Sequence, residues 1–319
     1  MAKCRGISLL SGGLDSQLAV RVLERAGAEV ECVAFSTPFF DCAKAKAAAV
    51  GLGVKLHVVD FLEDEISLIE NPPHGFGGAM NPCIDCHALM IRRAGELMER
   101  LGFDFVATGE VRGQRPMSQN SQSLVTVAKA SGLAGRLLRP LSAKLLEPTI
   151  PEIEGKIDRN LLLDISGRSR DRQIALAAEF GIRDYPSPAG GCRLTEDAFS
   201  RKLKDLMDHE GLREPSPGAE HGEKGRVNRK LIGLLGTGRR FRLPDGSGVI
   251  LGRNAEENGV LKKNGGTVVE PPTDVPGPVA LVPDLKSEAD LGIVRQIVRA
   301  WSRGTSDDDR GPFKKYQIV

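Results

Sequence analysis

No run of apolar residues approaches the length of a membrane span. The N-terminus carries no apolar stretch followed by a small-residue cleavage site. The expectation is a cytoplasmic protein without a membrane partner. Charge of one sign is also missing: 44 Lys and Arg face 42 Asp and Glu, a formal net charge of +2, so the molecule as a whole does not advertise nucleic acid. Six cysteines without a secretory leader do not read as a disulfide framework. No internal repeat is evident, and no glycine motif of the S-adenosylmethionine type follows a strand, which argues against a methyltransferase.

What is present is ordinary in bulk and specific in detail. A chain of 319 residues suggests two domains, and 40% apolar with 27% charged residues suits a folded globular protein. The charge is unevenly spread. Lys224 to Lys263 holds ten basic residues against three acidic, and Arg112 to Arg172 eleven against six. Clusters of this kind suit a polyphosphate partner or, more simply, a solvated face.

The organising stretch is Ser11-Gly12-Gly13-Leu14-Asp15-Ser16. It follows the apolar run Ile7 to Leu10 and precedes Gln17 to Gly27, where Leu18, Val22 and Leu23 recur at helical spacing. That predicts strand, tight turn, helix. Two glycines permit backbone angles and close approaches that a side chain forbids, and a helix start presents unpaired N–H groups to an anion such as phosphate. Asp15 is placed to hold a metal ion between phosphates, and the hydroxyls of Ser11 and Ser16 to donate to phosphate oxygens. The spacing differs from G-x-x-x-x-G-K-[ST] and from G-x-G-x-x-G.

Further along, residues 28–36 and Val54 to Phe61 read as strands and Lys44 to Leu52 as a helix. This alternation predicts an α/β fold with a doubly wound parallel sheet, whose ligands sit at the carboxyl ends of the strands. A Gly- and Pro-rich loop, Asn71 to Pro82, delivers Cys83-Ile84-Asp85-Cys86-His87 to a helix start. Asp104 to Glu110 is a further strand, and Val111 to Arg115 a flexible basic segment. Tyr185 to Cys192 places another cysteine on a Pro/Gly loop. Residues 211–226 read as a linker, and a smaller α+β module follows with strands at Phe241 to Leu243, Val249 to Leu251 and Val279 to Val282, and a helix from Glu288 to Ala300. The tail after Arg303 shows no periodicity.

Cys83 and Cys86 sit three apart at a helix N-terminus, a position that lowers thiol pKa and favours the thiolate. A doubly wound fold can return Cys192 to the same face. Three chemistries compete: a persulfide carrier with a resolving cysteine, a [4Fe–4S] cluster on three thiolates, and structural zinc, for which His87 would have to complete the set. Unrelated buried thiols are the plain alternative. His57 and His74 have no partner at metal spacing and are read as structural.

Ser-Gly-Gly-Leu-Asp-Ser resembles the PP-loop of the N-type ATP pyrophosphatases. With Asn81-Pro82-Cys83-x-x-Cys86, Ala107-Thr108-Gly109-Glu110 and the distant Cys192, residues 5–195 are similar to the tRNA thiolation enzymes, the 2-thiouridylases and 4-thiouridine synthetases. The resemblance implies an adenine nucleotide alpha hydrolase-like PP-loop domain. It also implies ATP and Mg²⁺ at Ser11, Gly12, Gly13, Leu14, Asp15, Ser16 and Gly109, with Asp15 on the metal. It further implies adenylation of a uridine carbonyl oxygen in tRNA, and sulfur from a sulfide or a persulfide carrier protein delivered at Cys83, Cys86 and Cys192. Thiouridylases of the disulfide type carry one cysteine in the Asn-Pro segment. This chain has two there, and Cys83, Cys86 and Cys192 together resemble better the pattern of the iron–sulfur-dependent thiolases.

Residues 240–282, with Gly252-Arg253-Asn254 and Pro276-Gly277, resemble the C-terminal RNA-binding module of NFACT proteins, implying phosphate contacts from Arg239, Arg240, Arg242, Arg253, Lys262 and Lys263. Phe241 is the stacking candidate, and a capping or dimerisation domain with a charged face is the alternative. The expected division is 1–185, a PP-loop domain; 186–227, cysteine loop, helix and linker; 228–302, RNA-binding module; and 303–319, tail. Two other functions remain open: adenylation of a small-molecule acceptor, and a nucleotide-sensing RNA-binding protein without catalysis.

Overall fold

The computed structural model describes residues 3–115, 118–187, 191–214 and 225–319. Residues 188–190 of the expected cysteine loop and 215–224 of the expected linker lie outside them. The chain divides into two compact units, Met1–Arg193 and Leu194–Val319. The division falls ahead of the expected linker, so the helix Asp197–His209 belongs with the second unit.

The first unit alternates strand and helix: β1 (Arg5–Leu9), α1 (Leu14–Arg25), β2 (Glu29–Ser36), α2 (Ala43–Leu52), β3 (Leu56–Asp60), α3 (Leu62–Glu70), α4 (Cys83–Leu101), β4 (Phe105–Ala107), α5 (Ser121–Ser131), β5 (Leu137–Leu138), α6 (Ile150–Ile153) and α7 (Asp171–Glu179). All five strands are parallel, in the order β3-β2-β1-β4-β5. Alternate residues along the strands feed two cores. Val30, Cys32 and Ala34 pack towards α1 and α2, whereas Val33 and Phe35 pack towards α4. That two-sided burial explains the near-continuous apolar runs. The chain leaves β1 for β2 and β3 on one side, then returns to β4 on the other. The reversal at β1 and β4 opens a crevice at the strands' carboxyl ends.

Helices α3, α5 and α6 stand where the sequence reading named none. The basic stretch 112–172 is largely folded, with Asn120 capping α5 through its side chain on the Ser123 amide. Capping and the burial of Leu124 and Val127 carry α5, neither of which a charge count registers. Among the described residues, no helix is long and apolar enough to cross a membrane.

The second unit begins with α8 (Asp197–His209) and α9 (Arg229–Gly233). An antiparallel sheet follows, of β6 (Arg239–Arg242), β7 (Gly248–Leu251), β8 (Thr267–Val269) and β9 (Ala280–Val282) in the order β6-β7-β9-β8. Helix α10 (Ala255–Lys262) precedes β8, and α11 (Leu291–Ala300) and α12 (Asp307–Arg310) close the unit. The tail is not structureless. Ser306 caps α12, the Ile318 amide donates to the Arg240 carbonyl at 2.9 Å, and Gln317 bridges Phe241. Phe241 is fully buried, edge-on to Trp301 with ring centroids 5.2 Å apart, so it is a core residue and presents no face to a base.

Phe241→Ala should therefore cost about 3–5 kcal/mol in the unfolding of the second unit, read from urea denaturation of the full chain. A loss below about 1 kcal/mol would show that the ring is not core.

Candidate active site

The turn after β1 is built by close backbone packing. Gly12 adopts φ +79°, and a Cβ there would stand 2.4 Å from the carbonyl carbon of Lys44 at the start of α2. Gly109, just past β4, leaves no more room: its Cβ would meet the Asp15 carbonyl and the Ser16 nitrogen at 2.6 Å. Both glycines thus hold backbone against backbone around the loop. Gly13 is the extended N-cap of α1 and caps nothing with a side chain, so the first N–H groups of the helix have neither a side-chain cap from Gly13 nor intrahelical partners. Ser16 Oγ donates to the Gly13 carbonyl at 2.8 Å, and Ser11 Oγ lies 3.3 Å from Ser16 Oγ, so this pair braces the turn in the structure. The Leu14 side chain is core, leaving only its backbone to meet a ligand.

Asp15 Oδ2 accepts from Gln114 Nε2 at 3.0 Å, whereas Oδ1 is buried without a hydrogen-bond partner among the described residues. Burial raises the carboxyl pKa, opposed by the Gln114 bond and the charges of Arg170 and Arg115. An unpartnered anionic oxygen beside open helix N–H groups is the donor that a hard divalent cation takes between phosphates, so the residues fit Mg²⁺ there.

The cysteines gather in the same unit. Asn81 Nδ2 lies 3.0 Å from Cys83 Sγ at the start of α4. Cys86 is buried and its thiol donates to Glu65 Oε2 of α3 at 3.2 Å. Burial pushes the Cys86 pKa well up, and the charges of Glu65, Cys192 and Cys83 push it further, which places all three thiols in one electrostatic neighbourhood. The expected thiolate at Cys86 is therefore corrected: desolvation and an adjacent carboxylate overcome the helix N-terminus. Burial likewise raises Glu65 to about 7. The Arg193 amide donates to the Phe39 carbonyl at 3.0 Å, anchoring the Cys192 segment to the loop after β2.

Among the described residues no three His, Cys, Asp or Glu side chains stand as a metal-ion site, and His87 is engaged elsewhere, so a zinc set is not assembled. A [4Fe–4S] cluster on Cys83, Cys86 and Cys192 would have to replace the hydrogen bond from Cys86 to Glu65. His57 lies 2.6 Å from Glu31, and His74 2.5 Å from Asp85, where it pins the Gly/Pro loop to α4.

The basic residues of the second unit are largely spent on its own interior. Arg240 is 4% exposed. Arg242 forks onto Asp205 and Glu210 with contacts from 2.5 to 3.1 Å. Arg253 pairs with Glu257 and Lys262 with Glu270. Of the six, Arg239, Arg240 and Lys263 have no carboxylate within ion-pair distance among the described residues. Arg240 and Arg242 are therefore structural, because burial and pairing remove their charge from the surface.

Residues 2–145 match the family model described as thiamine biosynthesis protein (ThiI). Residues 238–310 match that of the NFACT protein RNA binding domain. A probable tRNA sulfurtransferase of Thermoanaerobacter sp. (strain X514) is 34% identical over 39% of this chain and 33% of its own. A tRNA-specific 2-thiouridylase of Marinobacter nauticus is 30% identical over 65% of this chain and 54% of its own. The chain thus spans about a third to about half the length of these relatives. A solved 4-thiouridine synthetase–RNA complex with bound ATP aligns at 21% identity and a TM-score of 0.36, over 56% of this chain and 52% of that one.

Within the ThiI-like segment, the sequence reading named Glu110 as part of a motif but gave no role to this residue, which contacts both the segment after β4 and α4. It is buried, accepts from Arg139 Nε at 2.7 Å and Thr108 Oγ1 at 3.0 Å, and lies 3.3 Å from His87 Nδ1. Burial would raise its pKa, but the Arg139 charge and His87 hold it at about 2. Glu65 and Gln114 were likewise given no role. Their polar side chains gain meaning only from partners far along the chain.

Arg139→Met leaves Glu110 as an uncompensated buried charge, at a cost of about 3–5 kcal/mol, most of which Arg139→Met with Glu110→Gln should restore. Because the Glu110 pKa is depressed when folded, its stabilisation is present above about pH 4.5 and lost as pH falls towards about 2. Acid denaturation profiles of wild type and the double variant test both statements. Equal profiles would remove Glu110 from the stability argument.

Proposed function

We propose that this chain spends ATP, cleaved between its α- and β-phosphates, to adenylate a uridine carbonyl oxygen of tRNA and then replaces that oxygen with sulfur. One observation supports this most. Consecutive residues after β4 touch both halves of the site, Gly109 against Asp15 and Ser16, and Glu110 against His87 next to Cys86. An activated carbonyl held at the glycine turn therefore lies near the thiols. The ThiI-like segment covers both, and the NFACT-like module suits an RNA substrate.

Each residue type follows from the chemistry. A uridine carbonyl oxygen leaves poorly until it is esterified to AMP. Stabilising the departing pyrophosphate is an electrostatic task, suited to the open N–H groups of α1 and the arginines near Asp15. Mg²⁺ at Asp15 Oδ1 would add charge neutralisation there. The base must leave its stack to reach the crevice. For the sulfur step, a persulfide on one cysteine attacks the activated carbon and expels AMP. A second thiol then attacks the protein-bound sulfur, releasing the thiocarbonyl and leaving a disulfide that external thiols reduce. Glu65, to which Cys86 donates, is placed to take the thiol proton when that sulfur reacts. A cluster would require Cys86 to give up both its proton and its bond to Glu65.

Asp15→Asn should lower tRNA-dependent AMP release by about a hundredfold or more, measured with ATP labelled at the α-phosphate. Cys192→Ser should keep pyrophosphate release and lose thiolated product. Thiolation by Asp15→Asn at the wild-type rate would refute adenylation, and AMP release that ignores tRNA would favour a small-molecule acceptor. Brown, iron-containing protein after anaerobic purification, bleached by any one of Cys83→Ser, Cys86→Ser or Cys192→Ser, would replace the persulfide with a cluster.

A further inference from the structure

Internal pairing of Arg242, Arg253 and Lys262 leaves the question of which cations of the second unit meet a polyanion. The answer lies on α11, outside the basic cluster visible in the sequence. Val294, Ile297 and Val298 of this helix are buried in the core, which turns Arg295, Gln296 and Arg299 outward. Arg295 and Arg299 are four residues apart, one helical turn or about 6 Å. That separation is comparable with successive phosphates along an extended strand. Neither makes an ion pair among the described residues.

These arginines line a cleft of about 480 Å³ against β8 and the segment after it. Val268, Val269, Pro271 and Pro272 form its apolar wall, and Gln296 adds a neutral hydrogen-bonding group. The carboxylate at the rim, Glu270, is paired with Lys262 at 2.6 Å, so it does not cancel the guanidiniums. The volume suits a nucleotide-sized occupant. A cation pair on one wall and an apolar surface on the other match a nucleotide's phosphate and its sugar or base face.

We infer that the α11–β8 cleft is the RNA site of the second unit, with Arg295 and Arg299 on adjoining phosphates and the valine–proline wall against ribose or base. This rests on the proposed tRNA substrate. The site holds RNA by backbone and shape, and reads no sequence.

The test is binding of an unmodified tRNA transcript to the full chain across a salt series. Arg295→Gln with Arg299→Gln should weaken binding about twenty- to sixtyfold at about 0.1 M salt and lower the salt slope by about 1.5, since each phosphate contact contributes about 0.7–0.9 to that slope. Arg295→Lys with Arg299→Lys should keep the slope. Lys314→Gln with Lys315→Gln removes the same charge elsewhere in the unit and should leave affinity near wild type. Both residue pairs are exposed, and unchanged thermal melts of the three variants show that folding is intact. Equal binding by wild type and the arginine-to-glutamine variant would overturn the cleft alone. A wild-type chain without affinity for tRNA would overturn both the cleft and the proposed substrate.

Discussion

The absence of room for a Cβ at two points of the crevice is the constraint on which the rest depends. Gly12 brings the turn after β1 onto the backbone of α2, and Gly109 brings the segment after β4 onto the turn itself. Side chains at either place would hold these segments apart, and the open N–H groups of α1 would lose their fixed direction. The parallel sheet supplies the setting. Its order reverses between β1 and β4, so the loops that leave these strands must face each other at one edge.

Electrostatics then distributes roles that composition cannot. Glu110 and Glu65 are both buried carboxyls, yet they lie at opposite extremes, about 2 and about 7. The first has a guanidinium within hydrogen-bond distance, and the second has only a thiol. The ionised member locks β4 and α4 together through Arg139 and His87. The other keeps Cys86 as a protonated donor, which is why helix position is a poor guide to that thiol's reactivity. The protonation of a thiol here is set by what surrounds it, not by its spacing from the next cysteine.

The second unit shows the same lesson for cations. Its densest run of arginines, residues 239–242, lies on β6, where Arg240 turns into the interior and Arg242 is neutralised by two carboxylates of α8 and the residue beyond it. Two cations without an ion pair, Arg295 and Arg299, sit instead on α11, outside that run. Density of charge along the chain and charge presented to solvent are different quantities, since a strand buries alternate residues and an ion pair cancels the rest.

By itself the sequence determined the alternation of strand and helix and the glycine turn at Ser11–Ser16 between β1 and α1, and it allowed Cys192 to return to the face of Cys83 and Cys86. These follow from local rules: periodicity, glycine's backbone freedom, and the side on which a parallel sheet collects its loops. Only the tertiary structure decided that Ser16 braces the turn, that Cys86 is protonated against Glu65, that Glu110 joins both halves of the site, that Phe241 is core, and that the tail is folded. Each of these depends on a partner dozens of residues away or on the loss of water around a group. A linear pattern can show which chemical groups are present, but only folding sets their solvation and their neighbours.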